Sequence, residues 1–289
     1  MANNNINWYP GHMTKTKRMI QDCIKDIDII VEMVDARIPL ASKNPDIEKL
    51  TEHRPRLLIL NKSDLASPAE NKKWAEYYKS KGYSVFLNNS LKPDTAEFFA
   101  AVKELYAEKA ERNAQRGLKN KAVRIMILGI PNVGKSTLIN SLSGEKRTKT
   151  EDRPGVTRGK QWIMLKGGIA LLDMPGILWP KLENQHAAAN LAITGAIKDK
   201  VLDIEEIALK LLAFLSKNYP KELIEKYKLE DELPEDDYEL LKMIGKKRGF
   251  LLSGGEIDTE RTAIILTDEF RAGKIGRITL EKAEIIRND

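Results

Sequence analysis

The chain has 289 residues, of which 42% are hydrophobic, so it can form a folded core, and its length suggests about two domains. One cysteine and three histidines exclude an internal disulfide and a multi-cysteine zinc site. No stretch approaches about 18 uncharged apolar residues, and the polar N-terminus lacks the pattern of a secretion signal. We therefore expect a cytoplasmic protein that does not cross a membrane.

The net charge of +6 is unevenly distributed. Residues 181–289 contain 18 basic and 22 acidic residues, a net of −4, which leaves 30 basic and 20 acidic residues, a net of +10, in residues 1–180. Such an excess is typical of proteins that bind a polyanion such as RNA, but clusters of basic residues also occur on ordinary solvated surfaces. Charge alone leaves both interpretations open.

The N-terminal residues 6–13 read INWYPGHM and precede a predicted helix from Thr14 to Lys25, with Thr14 as its N-cap. The simplest interpretation is an arm held in place by its aromatic residues. This arm ends near His12, for which both a structural and a catalytic role are open.

A strand buried on both faces is predicted from Asp28 to Val34, because the segment is rich in Ile and Val. Asp35 follows at its carboxyl end, where α/β sheets bind ligands. Asp35 is therefore either part of a site or the cap of a turn.

A second buried strand, Arg56–Leu60, continues directly into the sequence NKSD at residues 61–64. The carboxylate of Asp64 can accept hydrogen bonds from the ring N–H and the exocyclic amine of guanine, whereas adenine would leave it unpaired. Asn61 would tie this loop to the phosphate-binding loop or to the base, and the stem of Lys62 would cover the base. The segment predicts a preference for GTP over ATP.

A helix over Ser67–Lys81 and a third strand over Tyr83–Leu87 are predicted next, followed by Asn89, Ser90 and Leu91. GTP-binding domains often carry Ser-Ala-Lys in such a loop, with a backbone N–H aimed at the guanine carbonyl oxygen. Leu91 replaces the small residue here. A long helix from Asp94 to about Arg116 then ends at Gly117.

Residues 129–137 read GIPNVGKST, which fits G-x-x-x-x-G-K-[ST] between an apolar strand, Val123–Leu128, and a helix. Backbone N–H groups at a helix N-terminus bind phosphate oxygens, and a side chain at either glycine would block them. Lys135 adds a positive charge for the outer phosphates, and the hydroxyl of Ser136 is a predicted Mg²⁺ ligand. The predicted nucleotide-contacting residues here are Asn132, Val133, Gly134, Lys135, Ser136 and Thr137.

The segment from Lys146 to Thr157 is polar and aperiodic, as expected of a mobile loop, and Thr157 is the second predicted hydroxyl ligand of Mg²⁺. Two strands, Gln161–Lys166 and Ile169–Leu172, flank a predicted two-residue hairpin turn. The second strand leads into DMPG, in which Asp173 would hold Mg²⁺ through water and the N–H of Gly176 would contact the γ-phosphate.

The order of these motifs is unusual, because NKxD precedes the phosphate-binding loop, whereas most GTP-binding domains have it last. We interpret this as a circular permutation, which preserves the neighbours of each strand. The predicted fold class is α/β: a P-loop GTPase domain with a mostly parallel sheet at residues 1–180, and an all-helical domain at residues 181–289. The predicted helices of that second domain are Asn184–Thr194, Ile204–Lys217, Lys221–Tyr227, Asp236–Gly245 and Asp258–Ala272.

This arrangement resembles the circularly permuted ribosome biogenesis GTPases, on the strength of WYPGHM at 8–13, DARIP at 35–39, NKSD, GIPNVGKST, RPGVT at 153–157 and DMPG. The resemblance covers essentially the whole chain and is closest to the branch that assembles the large subunit. It implies GTP hydrolysis stimulated by the large ribosomal subunit, with the C-terminal helices contacting rRNA. We do not expect the protein to bind membranes or DNA, and we expect it to be a monomer. The C-terminal domain alone could equally serve dimerisation or packing.

Catalysis requires a separate hypothesis, because Ile177 stands where related enzymes carry a water-orienting glutamine after DxxG. His12 is the candidate for that role, as the resemblance suggests. Asn132 is similar to the residue that binds K⁺ in potassium-dependent relatives, or it only shapes its loop. Two other functions stay open: a GTP-dependent RNA-binding switch with incidental hydrolysis, and a signalling adaptor GTPase without RNA.

Overall fold

The computed structural model describes residues 12–89, 91–118, 121–144, 162–178, 184–197 and 203–284, with side chains from Thr14 onward. These residues form one six-stranded sheet and ten α-helices. The strands are β1 (Ile29–Asp35), β2 (Arg56–Asn61), β3 (Ser84–Asn88), β4 (Val123–Gly129), β5 (Trp162–Leu165) and β6 (Ile169–Asp173). The helices of the first half are α1 (His12–Cys23), α2 (Pro45–Thr51), α3 (Pro68–Ser80), α4 (Thr95–Gln115) and α5 (Lys135–Ser143). Those of the second half are α6 (Gln185–Ile193), α7 (Ile204–Asn218), α8 (Pro220–Tyr227), α9 (Asp237–Arg248) and α10 (Thr259–Arg271).

The sheet has the order β3-β2-β1-β4-β6-β5 and is parallel except for β5, which pairs antiparallel with β6. This confirms the mostly parallel sheet predicted from the sequence. All seven residues of β1 are buried, because helices cover both faces.

Side chains alternate between two apolar layers. Ile29, Val31 and Met33 pack with residues of α4, α5 and the C-terminal helices in one continuous cluster. The opposite face packs Ile30 against Ile20 of α1, and Val34 against Trp74 of α3. The C-terminal helices therefore share a core with the sheet.

Two local predictions differ from the structure, and one helix was not predicted. The first helix begins at His12, so Thr14 lies inside α1 and is not its N-cap. The hairpin between β5 and β6 has three connecting residues, because Leu165 pairs with Ile169, and Gly167 and Gly168 both adopt positive φ angles, of 76° and 73°. Helix α2 was not predicted, although Asn44 caps it by accepting a hydrogen bond from the N–H of Asp46.

The chain returns to the sheet after α10. The N–H of Ile278 donates to the carbonyl of Leu65 (3.0 Å), and the N–H of Leu280 donates to that of Arg37 (2.8 Å). The domain boundary at residue 180 lies outside the described residues and stays a prediction. None of the described helices is long and apolar enough to cross a membrane.

Candidate nucleotide site

The strand registers bring the predicted motifs to one edge of the sheet. Asp35, Asn61 and Asn88 lie side by side at the ends of β1, β2 and β3. Gly129 and Asp173 end β4 and β6 on the same side. Because the carboxyl ends of parallel strands share an edge, three loops meet there: the NKSD loop (61–64), the P-loop (129–137) and the DMPG loop (173–176).

The P-loop has the backbone that phosphate binding requires. Gly134 is the N-cap of α5 in a left-handed conformation, with φ at 104°. A Cβ on Gly129 would lie 2.6 Å from the carbonyl oxygen of Met33, so this position has no space for a side chain. Lys135 is 8% exposed, and its Nζ donates to the carbonyls of Gly129 (3.2 Å) and Ile130 (2.9 Å). Its ammonium group is therefore held against the loop.

The DMPG loop packs directly on the P-loop. A Cβ on Gly176 would lie 2.8 Å from both Cα and N of Pro131. The N–H of Ile177 donates to the carbonyl of Gly129 (3.1 Å). Burial raises the pKa of Asp173, and the nearby charge of Lys135 opposes that rise.

These residues fit a Mg²⁺–triphosphate group. Mg²⁺ prefers oxygen ligands, and Ser136 in the first turn of α5 and Asp173 at the end of β6 offer a hydroxyl and a carboxylate beside Lys135. The close contact of Gly176 with the P-loop brings its backbone within reach of the same group. Thr157, the other predicted ligand, lies outside the described residues.

The NKSD loop and the P-loop are joined by hydrogen bonds. The fully buried Asn61 donates from Nδ2 to the carbonyl of Val133 (2.7 Å) and accepts from Nδ2 of Asn88 (2.9 Å). Of the two predicted roles of Asn61, the tie to the P-loop is the one observed. Nζ of Lys62 donates to the carbonyl of Asn132 (2.8 Å). Asp64, the predicted guanine ligand, is partly buried in this loop.

The third predicted base-binding loop is less complete. Leu91 is 79% exposed, and its backbone N–H donates to Oδ1 of Asn89 (2.9 Å). Ser90 lies outside the described residues. The contact of this loop with guanine stays a prediction.

Three residues bear on the predicted mechanism of hydrolysis. Ile177 is 5% exposed and belongs to an apolar cluster with Ile20 of α1 and Leu128 of β4. The side chain of His12, at the start of α1, is outside the described part of the chain. Asn132 has a positive φ of 57°, and its Nδ2 donates to the carbonyl of Gly195 (2.8 Å). These contacts do not involve a cation, and the role of Asn132 in K⁺ binding stays a prediction.

A buried ion pair, which the sequence motifs do not include, lies next to the NKSD loop. Asp35 accepts two hydrogen bonds from the guanidinium of Arg37 and one from Lys62. Burial alone would raise the pKa of Asp35, but the charges of Arg37 and Lys62 hold it well below its usual range. Asp35 also accepts from the N–H of Arg37 (3.0 Å), so it caps a turn and contacts the site. An Asp and an Arg two residues apart at the end of a buried strand were the available signal.

The fold and the site define a P-loop GTPase whose base-recognition motif precedes its phosphate-binding motif, that is, a circularly permuted one. The profile of a family described as 50S ribosome-binding GTPase matches residues 124–250. The Ribosome biogenesis GTPase A of Bacillus cereus is 46% identical over 96% of this chain and 94% of its own length. That of Thermotoga maritima is 30% identical over 97% and 96%, respectively.

Solved structures give the same result. The crystal structure of GNP-bound YlqF from T. maritima matches with a TM-score of 0.64 and 28% identity, covering 93% of this chain and 99% of that one. The chain belongs to the ribosome biogenesis GTPase A family and is a GTP hydrolase that acts in ribosome biogenesis.

Proposed function

We propose that this protein binds the large ribosomal subunit or its precursor in the cytoplasm, promotes a late step of its assembly, and hydrolyses GTP on it. The observation that carries the proposal is the burial of Ile177 in an apolar cluster beside a preformed P-loop. A site that binds GTP but has no polar group at this position hydrolyses slowly until a partner supplies or orders one. The family description, 50S ribosome-binding GTPase, names a partner of that kind.

In this proposal the nucleotide-binding residues keep their predicted roles. Lys135 neutralises the outer phosphates, while Ser136, Asp173 and Thr157 hold Mg²⁺, which supplies charge neutralisation at the β- and γ-phosphates. The backbone N–H of Gly176 contacts the γ-phosphate. Guanine is recognised by Lys62 and Asp64, in a loop that Asn61 ties to the P-loop, and by the loop of Asn89, Ser90 and Leu91.

The two remaining roles concern hydrolysis. His12 orients the attacking water once the subunit orders the N-terminal arm. Asn132 binds K⁺ through Oδ1, since its Nδ2 is already engaged by Gly195. K⁺ there would provide the charge that other GTPases obtain from an arginine finger.

The proposed partner surface is basic. Residues 1–180 carry a net charge of +10, and Lys246 and Lys247, both exposed on α9, add positive charge to the C-terminal helices. Contacts of these groups with rRNA phosphates would supply most of the binding free energy. The protein acts as a monomer in this account.

The test is the GTP hydrolysis rate with and without purified large subunits, with small subunits as the control. We expect stimulation well above tenfold by large subunits only. A GTP-dependent RNA-binding switch would show nucleotide-dependent co-sedimentation with large subunits without that stimulation. A signalling adaptor would show neither, and either result would contradict the proposal.

A further inference from the structure

The carboxylate of Asp35 lies at the centre of a buried charge cluster behind the NKSD loop. Asp35 is 2% exposed and Arg37 is 1% exposed. Nε and Nη2 of Arg37 donate to Oδ1 (2.9 Å) and Oδ2 (2.7 Å) of Asp35, and Nζ of Lys62 donates to Oδ2 (3.0 Å). A bidentate pair of this kind fixes direction as well as distance, so Lys62 is anchored at a defined point.

Arg37 connects this cluster to the C-terminal helices. Its Nη1 donates to the carbonyl of Arg271 (3.2 Å) at the end of α10, and its guanidinium lies 5.4 Å from the ring centre of Phe270. Arg271 in turn donates to the carbonyls of Ala192 (2.9 Å) and Ile193 (3.0 Å) at the end of α6. Two helices of the C-terminal half are thus tied to Asp35, α10 through the side chain of Arg37 and α6 through that of Arg271.

The segment after α10 also contacts this loop. A Cβ on Gly273 would lie 2.7 Å from Cδ2 of Leu65, which shows how closely the two pack. The guanidinium of Arg277 donates to the carbonyls of Ser63 (3.1 Å) and Ala66 (3.2 Å), which flank Asp64 in sequence. The loop that carries Asp64 is therefore shaped by residues from the far end of the chain.

We propose that Asp35 is a positioning residue for guanine recognition and that, through Arg37, it makes guanine nucleotide affinity depend on the docking of α10 and the segment that follows it. Lys62 has a φ of 58°, a left-handed conformation that is costly for a residue with a side chain. Its bonds to Asp35 and to the carbonyl of Asn132 hold it there. Without Asp35 the loop relaxes, and Asp64 loses its alignment with the base. The inference rests on the proposed assignment of residues 61–64 as the guanine loop.

Two variants and a control test it in the full-length protein. Asp35→Asn removes the charge that anchors Lys62, and Arg37→Lys keeps the charges but cannot pair bidentately and reach Arg271 together. Each should weaken GDP binding on the order of tenfold, the usual effect of losing one charge-assisted hydrogen bond. KM for GTP should rise accordingly, while kcat at saturating GTP stays within about twofold, because neither substitution removes a group assigned to the phosphates or to Mg²⁺.

The control is Lys73→Ala, which removes ion pairs with Glu70 and Glu284 at the same interface and should change neither constant, because solvent-exposed ion pairs contribute little. A second readout is the preference for GDP over IDP, whose base lacks the exocyclic amine. This preference should shrink in both test variants. Unchanged GDP affinity and unchanged preference in correctly folded Asp35→Asn and Arg37→Lys would overturn the inference.

A measurement on the unaltered protein covers the case in which the variants do not fold. Because coupling is reciprocal, GDP should slow amide hydrogen exchange at Ile278 and Leu280, whose N–H groups bond to Leu65 and Arg37. No slowing there would also overturn the inference.

The assignment of the loop is tested separately by Asp64→Asn, which should shift preference from guanine to xanthine nucleotides. If that shift fails, the guanine-loop assignment falls, and the inference falls with it. If the shift occurs while Asp35→Asn binds GDP normally, only the inference is wrong.

Discussion

At the scale of single residues, the proposal that GTP hydrolysis is slow without the ribosomal subunit depends on Ile177. Its side chain packs among apolar groups, its N–H donates to Gly129, and its carbonyl accepts from Nδ2 of Asn44 (3.2 Å). Both its backbone N–H and its backbone carbonyl are hydrogen-bonded, and its side chain has no group that orients water. The proposed mechanism therefore takes its water-orienting group from outside the DMPG loop.

Replacing His12 with alanine should lower the turnover stimulated by large subunits by about a hundredfold, the lower range for a group that positions or activates water. GTP affinity should stay near normal, because the role proposed for His12 is toward the attacking water and not toward the base or the phosphates. The matched control is His53→Ala, since the side chain of His53 is 91% exposed. Single-turnover hydrolysis with and without large subunits measures the effect, and unchanged stimulated turnover would dismiss the role of His12.

The role of Asn132 predicts a dependence on the monovalent cation. Stimulated hydrolysis should be faster in KCl than in NaCl at equal ionic strength, because Na⁺ is too small to span the same oxygen ligands. Asn132→Ala should abolish the difference. Equal rates of the unaltered protein in the two salts would show that Asn132 only shapes its loop.

At the scale of elements, the strands could be predicted to within a residue or so, because buried parallel strands leave short runs of apolar β-branched residues between turn signals. Helix α2 was missed because seven residues carry little periodicity, although Asn44 and Pro45 are a capping signal. The P-loop, the NKSD loop and DMPG were predictable because their chemistry is local in sequence.

The contacts of the C-terminal segment with the first half of the chain could not be predicted, because they join residues more than 200 positions apart. Glu281 is the clearest case. Its carboxylate accepts from the N–H groups of Leu40 (2.7 Å) and Ala41 (3.1 Å) and from Nδ2 of Asn190 (3.1 Å). No sequence pattern indicates that a glutamate near the C-terminus satisfies a loop after β1.

Glu281 predicts a specific pH dependence of stability. Burial raises its pKa, although the three N–H donors oppose this, so the native state binds more protons than the unfolded state just above the ordinary glutamate value. The contribution of this group to the free energy of unfolding is therefore greatest at low pH and is lost as the pH rises through that window.

Glu281→Gln cannot titrate, so its free energy of unfolding relative to the unaltered protein should rise as the pH is raised above about 4, the ordinary glutamate value. Urea unfolding at several pH values measures this difference. A difference that does not change with pH would contradict the assignment of a raised pKa to Glu281.

At the scale of the whole molecule, the sheet and the C-terminal helices share one apolar cluster, in which Ile130 of the P-loop and Leu191 of α6 both lie. The circular permutation places α6 shortly after the DMPG loop in sequence. A displacement of that loop on loss of the γ-phosphate would therefore act on helices packed against the site itself.

Binding to large subunits should weaken steeply with salt, because a chain with net charge +6 would bind rRNA largely through phosphate contacts. For about six phosphate contacts, the logarithm of the binding constant should fall against the logarithm of the salt concentration with a slope near −5, the value for duplex nucleic acid. Co-sedimentation between about 50 and 200 mM KCl measures the slope. Affinity that is independent of salt would indicate a partner surface of protein rather than RNA.

The most direct test of the account is calorimetric titration of the unaltered protein with GDP and with ADP in Mg²⁺ buffer. A guanine-specific site built around Asp64 predicts that ADP binds at least about a hundredfold more weakly, because adenine leaves that carboxylate unpaired. Equal affinity for the two nucleotides would contradict guanine recognition by the NKSD loop and the function derived from it.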